Sequence, residues 1–371
     1  MGTTTVPAAP PVWTPSRSLM FECHALTDIW TAGENAKLND RLRLTGLLGS
    51  IRWWSEAIVR GFGVRACDPV SEPCRGDQHC VICELFGKAD PPQAAKFAIR
   101  AWEDANRRQP FTRKLSKGST VILEFHFYRD RNTTLAEKYL LVKAMDVISR
   151  YGSVGGKTTL KPTRPSDIPT DATAANQDRV TRENAKKAWL NRHSDYGLLK
   201  IKTVDGAEPQ IWKSHQELFE REMGCAASSD QNFCLDLPSL SSFWFLPAST
   251  LFVHPSPTGG DNSINNLLGL ADTFKTRDDR QLTPKLTTPP VGCNPLRLHL
   301  RGLPERFSKD PLASSKKVFS FGSMGNNGYA RTWGYVLNQG LLTHLPDLLI
   351  SAGITKTAVD GEIVLREPIG G

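Results

Sequence analysis

Cys67, Cys74, Cys80 and Cys83 fall within 17 positions and are spaced C-x6-C-x5-C-x2-C. A C-x2-C pair brings two thiolates to one ion across a tight turn, and four thiolates suit the tetrahedral preference of zinc. The spacing predicts a structural zinc site with these four ligands. His79 is the alternative to one of the cysteines, and a metal-free set of thiols is the competing reading. The two outer gaps are irregular, so this is not a standard finger. No neighbouring carboxylate argues for the open position that a catalytic zinc keeps.

A second group of residues suits nucleic acid. Leu44–Arg60 reads as a helix, because Leu44, Leu47, Leu48, Ile51, Trp54 and Ile58 recur at helical spacing and form one apolar face. Trp54 falls on that face. Trp53 sits off it, flanked by Arg52 and Arg60, while Arg41 and Arg43 precede the helix. Guanidinium groups pair with phosphates bidentately, and helix N-termini also attract phosphate.

Two glycine loops add to this group. The first, RYGSVGGKTT at 150–159, holds Arg150, Gly155 and Lys157, with Lys161 just beyond. It ends like a Walker A motif, G-x4-G-K-[ST], but the first glycine would stand at 151, which is Tyr, and the loop follows a helix rather than a strand. Nucleotide hydrolysis is therefore rejected, and what remains is a loop of bare amides suited to an RNA phosphate. The second loop, FSFGSMGNNGYAR at 319–331, places Gly322, Gly325 and Gly328 three apart, with Lys316, Lys317 and Arg331 beside Phe319, Phe321 and Tyr329. Rings that stack on bases and cations that meet phosphates fit single-stranded RNA.

Hydrolase signatures are missing: none of the histidines at 24, 126, 193, 215, 254, 299 and 344 lies in a G-x-S-x-G or H-E-x-x-H context. A metal-free ribonuclease needs only a His, Lys or Tyr near a 2′-hydroxyl, and His24 on the first predicted strand is the candidate for that alternative.

The elements that position these residues begin with strands at Leu19–Leu26, Lys96–Glu103 and Thr120–Arg129, and helices at Leu44–Arg60 and Thr134–Arg150. Strand, helix, strand, strand, helix is a ferredoxin-like order lacking a clear final strand, and it is also the layout of RNA-recognition motifs. The fold class expected is α+β, with tandem ferredoxin-like (RRM-like) domains, glycine-rich loops and a Cys-rich insertion.

The boundaries expected are a disordered lead at 1–18, a first domain at 19–160 with the insertion at 62–95, a linker or loop at 161–179, and a second, insertion-laden domain at 180–371. In that second half a polar helix is expected at Val180–Arg192, strands at Ser242–Val253 and Asn294–Arg301, a short helix at Gly340–Ile350 and a closing strand at Ala358–Arg366.

The chain has 371 residues and a formal net charge of +8, a size for about two domains and a balance that favours anionic partners. Residues 1–18 carry Pro and Thr where a secretory leader would be apolar, and no run is long enough to cross a membrane. A cytoplasmic protein is expected, whose eight cysteines are thiols or metal ligands rather than disulfides.

Four stretches carry a resemblance to a known family: FECHALTDIWTAG (21–33), LRLTGLLGSIRWWSEAIVRG (42–61), ACDP (66–69) with CVICELFG (80–87), and YGSVGGKT (151–158). Together they resemble the first subunit of the type III-B CRISPR effector, the Cmr complex, in the RAMP superfamily (repeat-associated mysterious proteins). The likeness is dense over roughly 21–160; beyond, it rests mainly on the loop at 319–331. It implies two facing ferredoxin-like domains and a place where the 3′ part of the guide RNA and its complementary target RNA are held. Other Cmr subunits would be partners, and the chain would have no nuclease of its own and no membrane.

The positions matched to RNA contact are Arg52, Trp53, Arg60, Lys157 and Arg331. With the residue-level reading, the full candidate set is Arg41, Arg43, Arg52, Trp53, Arg60, Arg150, Gly155, Lys157, Lys161, Gly325, Gly328 and Arg331. One departure stands out: family members often continue the first loop with a glycine–aromatic–glycine step, whereas this chain continues with Leu160-Lys161-Pro162. A repeat-processing endoribonuclease and a purely structural adaptor are the alternatives.

Overall fold

The structure, a computed structural model, describes residues 17–31, 38–69, 73–74, 79–89, 92–156, 196–213, 215–226, 237–247, 315–321, 331–336, 342, 346 and 358–370. The first sheet contains β1 (Ser18–Ala25), β2 (Phe97–Trp102), β3 (Thr120–Phe127) and β4 (Leu199–Thr203) in the order β2-β3-β1-β4, with every pairing antiparallel. Strand alternation sends Leu19, Phe21, Cys23 and Ala25, together with Val121, Leu123, Phe125 and Phe127, to one face, where all are buried. Against that face pack the helices α1 (Leu44–Gly61) and α3 (Leu135–Arg150); the short α2 (Val81–Phe86) belongs to the cysteine segment.

Local chemistry sets the helix ends. Thr134 and Glu137 form a reciprocal capping box at the start of α3, and Glu137 also meets Lys96 Nζ at 2.7 Å. In α1 the expected face is buried at Leu47, Ile51, Trp54 and Ile58, with Leu44 and Leu48 partly buried against the core.

β4 supplies the strand that the sequence reading lacked. It lies past the 161–179 segment and pairs along β1 from Phe21↔Thr203 to Ala25↔Leu199. LKIKT alternates cleanly: Lys200 and Lys202 are exposed, Leu199 is buried and Ile201 packs against the core. Beyond it come α4 (Pro209–Lys213) and α5 (Gln216–Ala226), which extend the helical layer: Phe219 stacks on Tyr139 of α3 at 4.7 Å, and buried Trp212 donates Nε1–H to Gly206 O at 3.0 Å.

The second sheet holds β5 (Phe243–Pro247), β6 (Ser315–Phe321), β7 (Arg331–Val336) and β8 (Val359–Asp360) in the order β6-β7-β5-β8, again antiparallel. In chain order each sheet thus runs second, third, first, fourth. The strand expected at Ala358–Arg366 is instead the two-residue β8 followed by a helix, α6 (Gly361–Arg366). Asp360 accepts from Glu362 N at 2.9 Å as an N-cap, and Glu362 and Arg366 pair one turn apart at 2.8 Å, so local capping outweighs the strand pattern. The helices expected at 180–192 and, except for Leu342 and Pro346, at 340–350, and the strand at 294–301, lie outside the described residues.

Aromatic rings join the two sheets through α1. Trp54 lies 5.0 Å from Trp333 and 5.6 Å from Phe243, and Trp53 reaches Phe243, Trp333 and Tyr335 at 5.8–6.2 Å. Such pairs add roughly 0.5–1.5 kcal/mol each beyond their buried area.

Candidate metal centre and nucleic-acid surface

The four cysteines converge. Cys67, Cys74, Cys80 and Cys83 are all buried and reduced, and their Sγ atoms all lie within 4.8 Å of one another. Cys67 Sγ is 3.3 Å from Cys83 Sγ and 3.8 Å from Cys80 Sγ, too far for a disulfide. A zinc–sulfur bond of about 2.3 Å gives tetrahedron edges of about 3.8 Å, so the cluster has the size of a four-thiolate metal site. The backbone helps charge it: Cys80 N–H donates to Cys74 Sγ at 3.4 Å, and Cys83 N–H donates to Cys80 Sγ at 3.5 Å as the N-cap bond of α2. Hydrogen bonds with Cys67 and Cys83 draw the Cys80 thiol well below the ordinary thiol range. His79 is exposed and is not part of the cluster.

Two arginines of α1 grip this lobe. Arg52 donates from Nη1 to Gly87 O at 2.9 Å, from Nη2 to Cys83 Sγ at 3.5 Å, and from Nε to Glu56 at 3.0 Å. Arg60 donates to Ala66 O at 3.0 Å, Cys67 O at 3.1 Å and Pro238 O at 3.3 Å, and meets Glu56 at 3.5 Å. Arg52, Glu56 and Arg60 are each four apart, one ion-pair ladder along one helix face. Burial raises the Glu56 pKa even though both arginines oppose the rise. The Arg52 pKa is raised, because Glu56 and Cys83 more than offset the effect of burial. The R-x3-E-x3-R spacing was the sequence signal for this inward role, and reading the arginines singly missed it.

The remaining candidate residues divide. Trp53 is half-buried among the rings of the second sheet rather than presented to solvent. Arg331 is 8% exposed and donates Nη1 to Ile148 O at 3.2 Å, in the last turn of α3, and to Gly152 O at 3.1 Å, just past the helix end; burial lowers its pKa to about 10. Arg150 pairs with Asp146 and with Glu367, the latter at 2.8 Å. Arg41 is exposed, and Arg43 pairs with Asp40 at 3.1 Å while its backbone N–H donates to Thr31 Oγ1 at 2.8 Å.

Gly155 has φ +78°, and a Cβ there would meet Trp30 O at 2.5 Å, so the loop needs glycine at this point. Its N–H donates to Ser50 Oγ at 2.8 Å, and Gly156 N–H donates to Trp30 O at 2.7 Å. Trp30 and Thr31 thereby bring the first glycine loop beside the N-terminus of α1. Lys157, Lys161, Gly325 and Gly328 lie outside the described residues.

No helix among the described residues is long and apolar enough to cross a membrane. A search of curated proteins finds no match. The fold is similar to Cmr1 from Pyrococcus furiosus in its apo form, with TM-score 0.42 and 12% identity over 93% of this chain and 99% of that one. It is also similar to a chain of the Type III-B Cmr-beta complex bound to cognate target RNA, with TM-score 0.38 and 10% identity over 91% and 100%. The family model of the RAMP superfamily matches residues 22–160, which carry β2, β3, α1 to α3 and the second half of β1. That segment, with the four cysteines inside it, is similar to the RAMP superfamily.

Proposed function

We propose that the protein is a non-catalytic RNA-binding subunit of a type III-B CRISPR effector, the Cmr complex, that holds the 3′ part of the guide RNA and the target RNA paired with it, for antiviral defence. The observation that carries this reading is the RAMP-superfamily match over 22–160, the stretch in which the quoted motifs lie. Guide RNA, complementary target RNA and other Cmr subunits are the partners.

The N-terminus of α1 supports the reading. It has no acidic residue in its first turn and no side-chain cap, and it stands beside exposed Arg41 and the Gly155 loop. Leading amides of a helix favour phosphate, while the Gly155 and Gly156 amides, bonded to Ser50 and Trp30, fix the loop next to it. The shared strand order of the two sheets supports reading the chain as tandem ferredoxin-like units.

Zinc is the ion that the four thiols fit: hard cations prefer oxygen, and a closed four-thiolate tetrahedron is its structural mode. Bound there, it would cross-link the 62–95 lobe, with Arg52 offsetting the negative charge that four thiolates leave on the site.

One observation favours a second reading. His24 Nδ1 lies 3.2 Å from Thr120 Oγ1, and His24 pairs in register with Lys200, so a metal-independent endoribonuclease would be sought there. Photocrosslinking separates the readings. In an assembled effector, a photoreactive nucleotide in the 3′ part of the guide should crosslink to this chain. Crosslinks confined to the 5′ part, or guide cleavage lost in His24→Ala, would contradict the proposal.

A further inference from the structure

The face of the first sheet turned away from α1 and α3 carries an open pocket of about 460 Å³. Its floor is Glu124, 1% exposed, on β3. Glu124 accepts from Ser18 Oγ at 2.8 Å, Arg107 Nη1 at 2.9 Å and Trp102 Nε1 at 2.9 Å, and Arg100 Nη1 stands 3.9 Å away. Burial alone would raise its pKa, but the Ser18, Trp102 and Arg107 bonds hold the carboxyl below its ordinary value. His126 and exposed Arg17 complete one side, and Asp205 lies at the rim.

Three arginines therefore surround two carboxylates, one of which is already enclosed by donors. Each guanidinium has five N–H groups, and the bond to Glu124 occupies one nitrogen of Arg107. The side chains of Arg100 and Arg107 remain 47% and 45% exposed. This is a carboxylate that fixes cations in place for a further anion.

The backbone points the same way. Arg107 has φ +58°, the one positive value at a non-glycine residue among the described residues. Such conformations persist where surrounding structure forces them, and they concentrate at ligand sites. Here the Arg107 N–H donates to Asp104 O at 3.2 Å and the Glu103 N–H to Gln109 O at 2.9 Å, closing a turn that folds Arg107 back over the sheet to Glu124. The cavity volume lies in the range of about 300–1,000 Å³ typical of small-ligand sites.

We infer that this pocket is a ribonucleotide site: Arg17, Arg100 and Arg107 take the phosphate, and the base lies against Trp102. The inference rests on the RNA-binding reading above, with single-stranded RNA as the source of the nucleotide. A free mononucleotide would present the same chemistry, so the test includes one.

The experiment measures binding of labelled single-stranded RNA and of AMP to the full chain, the Arg100→Gln single variant and the Arg100→Gln/Arg107→Gly double variant, over a range of salt. Thermal melting checks folding; glycine at 107 relieves the left-handed backbone, and Arg100→Gln alone touches an exposed side chain. The expected result is RNA binding weakened about tenfold or more in the double variant, with the slope of log K against log salt shallower by about 0.7 for the one phosphate that the pocket holds. Unchanged RNA affinity and slope in folded variants would overturn the pocket while leaving the RNA-binding reading intact. AMP binding lost in the variants, with no RNA binding by the wild type, would uphold the pocket and overturn that reading. Binding of neither would overturn both.

Discussion

Replacing Arg52 with Ala removes three contacts at once: the Glu56 pair at 3.0 Å, the Gly87 carbonyl at 2.9 Å and the Cys83 sulfur at 3.5 Å. The first ties the guanidinium to α1, and the other two tie α1 to the cysteine lobe. Outer groups that hydrogen-bond a metal ligand set its orientation and charge, and losing one typically costs about 10–100-fold in metal affinity. That corresponds to about 1.4–2.8 kcal/mol. Glu56, 5% exposed, is left with Arg60 at 3.5 Å, so a further loss of a few kcal/mol in overall stability, about 3, is expected. The assay is competition for zinc between the protein and a chromophoric chelator, with thermal melting in parallel. Arg43→Ala is the control, because Arg43 pairs with Asp40 rather than with the lobe. Equal zinc affinity in wild type and Arg52→Ala would show that Arg52 does not organise the cluster. Well under one zinc per wild-type chain, prepared without chelator, would remove the metal itself.

Three further outcomes follow from packing and charge. Gly152→Ala places a Cβ 2.5 Å from Trp54 Cζ2, on a ring held by its Nε1–H bond to Ser153 O at 2.9 Å, and should lower stability by roughly 1–3 kcal/mol in chemical denaturation. Lys143, 1% exposed, has its pKa lowered by burial to about 8, so the folded state sheds that proton before the unfolded state does. Stability should therefore rise as pH climbs from about 8 toward 10, by no more than about 3 kcal/mol, and Lys143→Met should flatten the rise. The depressed Glu124 pKa contributes stability above the ordinary carboxylate range that is lost as pH falls through the folded value; Glu124→Gln should remove that part of the acid limb of melting temperature against pH.

Much of the first sheet was legible because period and capping agreed. The α1 face and the Thr134 start of α3 follow from apolar spacing and from a Thr-x-x-Glu box. The cysteines were legible as a cluster from spacing alone, since C-x2-C fixes two ligands and the others need only reach them. The Lys-spaced alternation of LKIKT marked β4, but it lay beyond the Pro- and Thr-rich segment taken as a boundary. The α1 arginines and Arg331 were read as solvent-facing cations, although an arginine can be oriented by carbonyls that no local pattern reveals. Arg60 finds Pro238 and Arg331 finds Ile148, partners more than 170 positions away. The Glu124 pocket was hidden for the same reason: β1, β2, β3 and the turn at 104–109 each contribute one or two residues to it.

The central claim is that this chain binds RNA without cutting it. The most direct measurement is titration of the full chain with labelled single-stranded RNA at two salt concentrations, with the same RNA then run on a denaturing gel. The account predicts intact RNA and an affinity that falls with log salt at a slope of about −2 or steeper, as three or more phosphate contacts require. Cleaved RNA, or binding indifferent to salt, would contradict it.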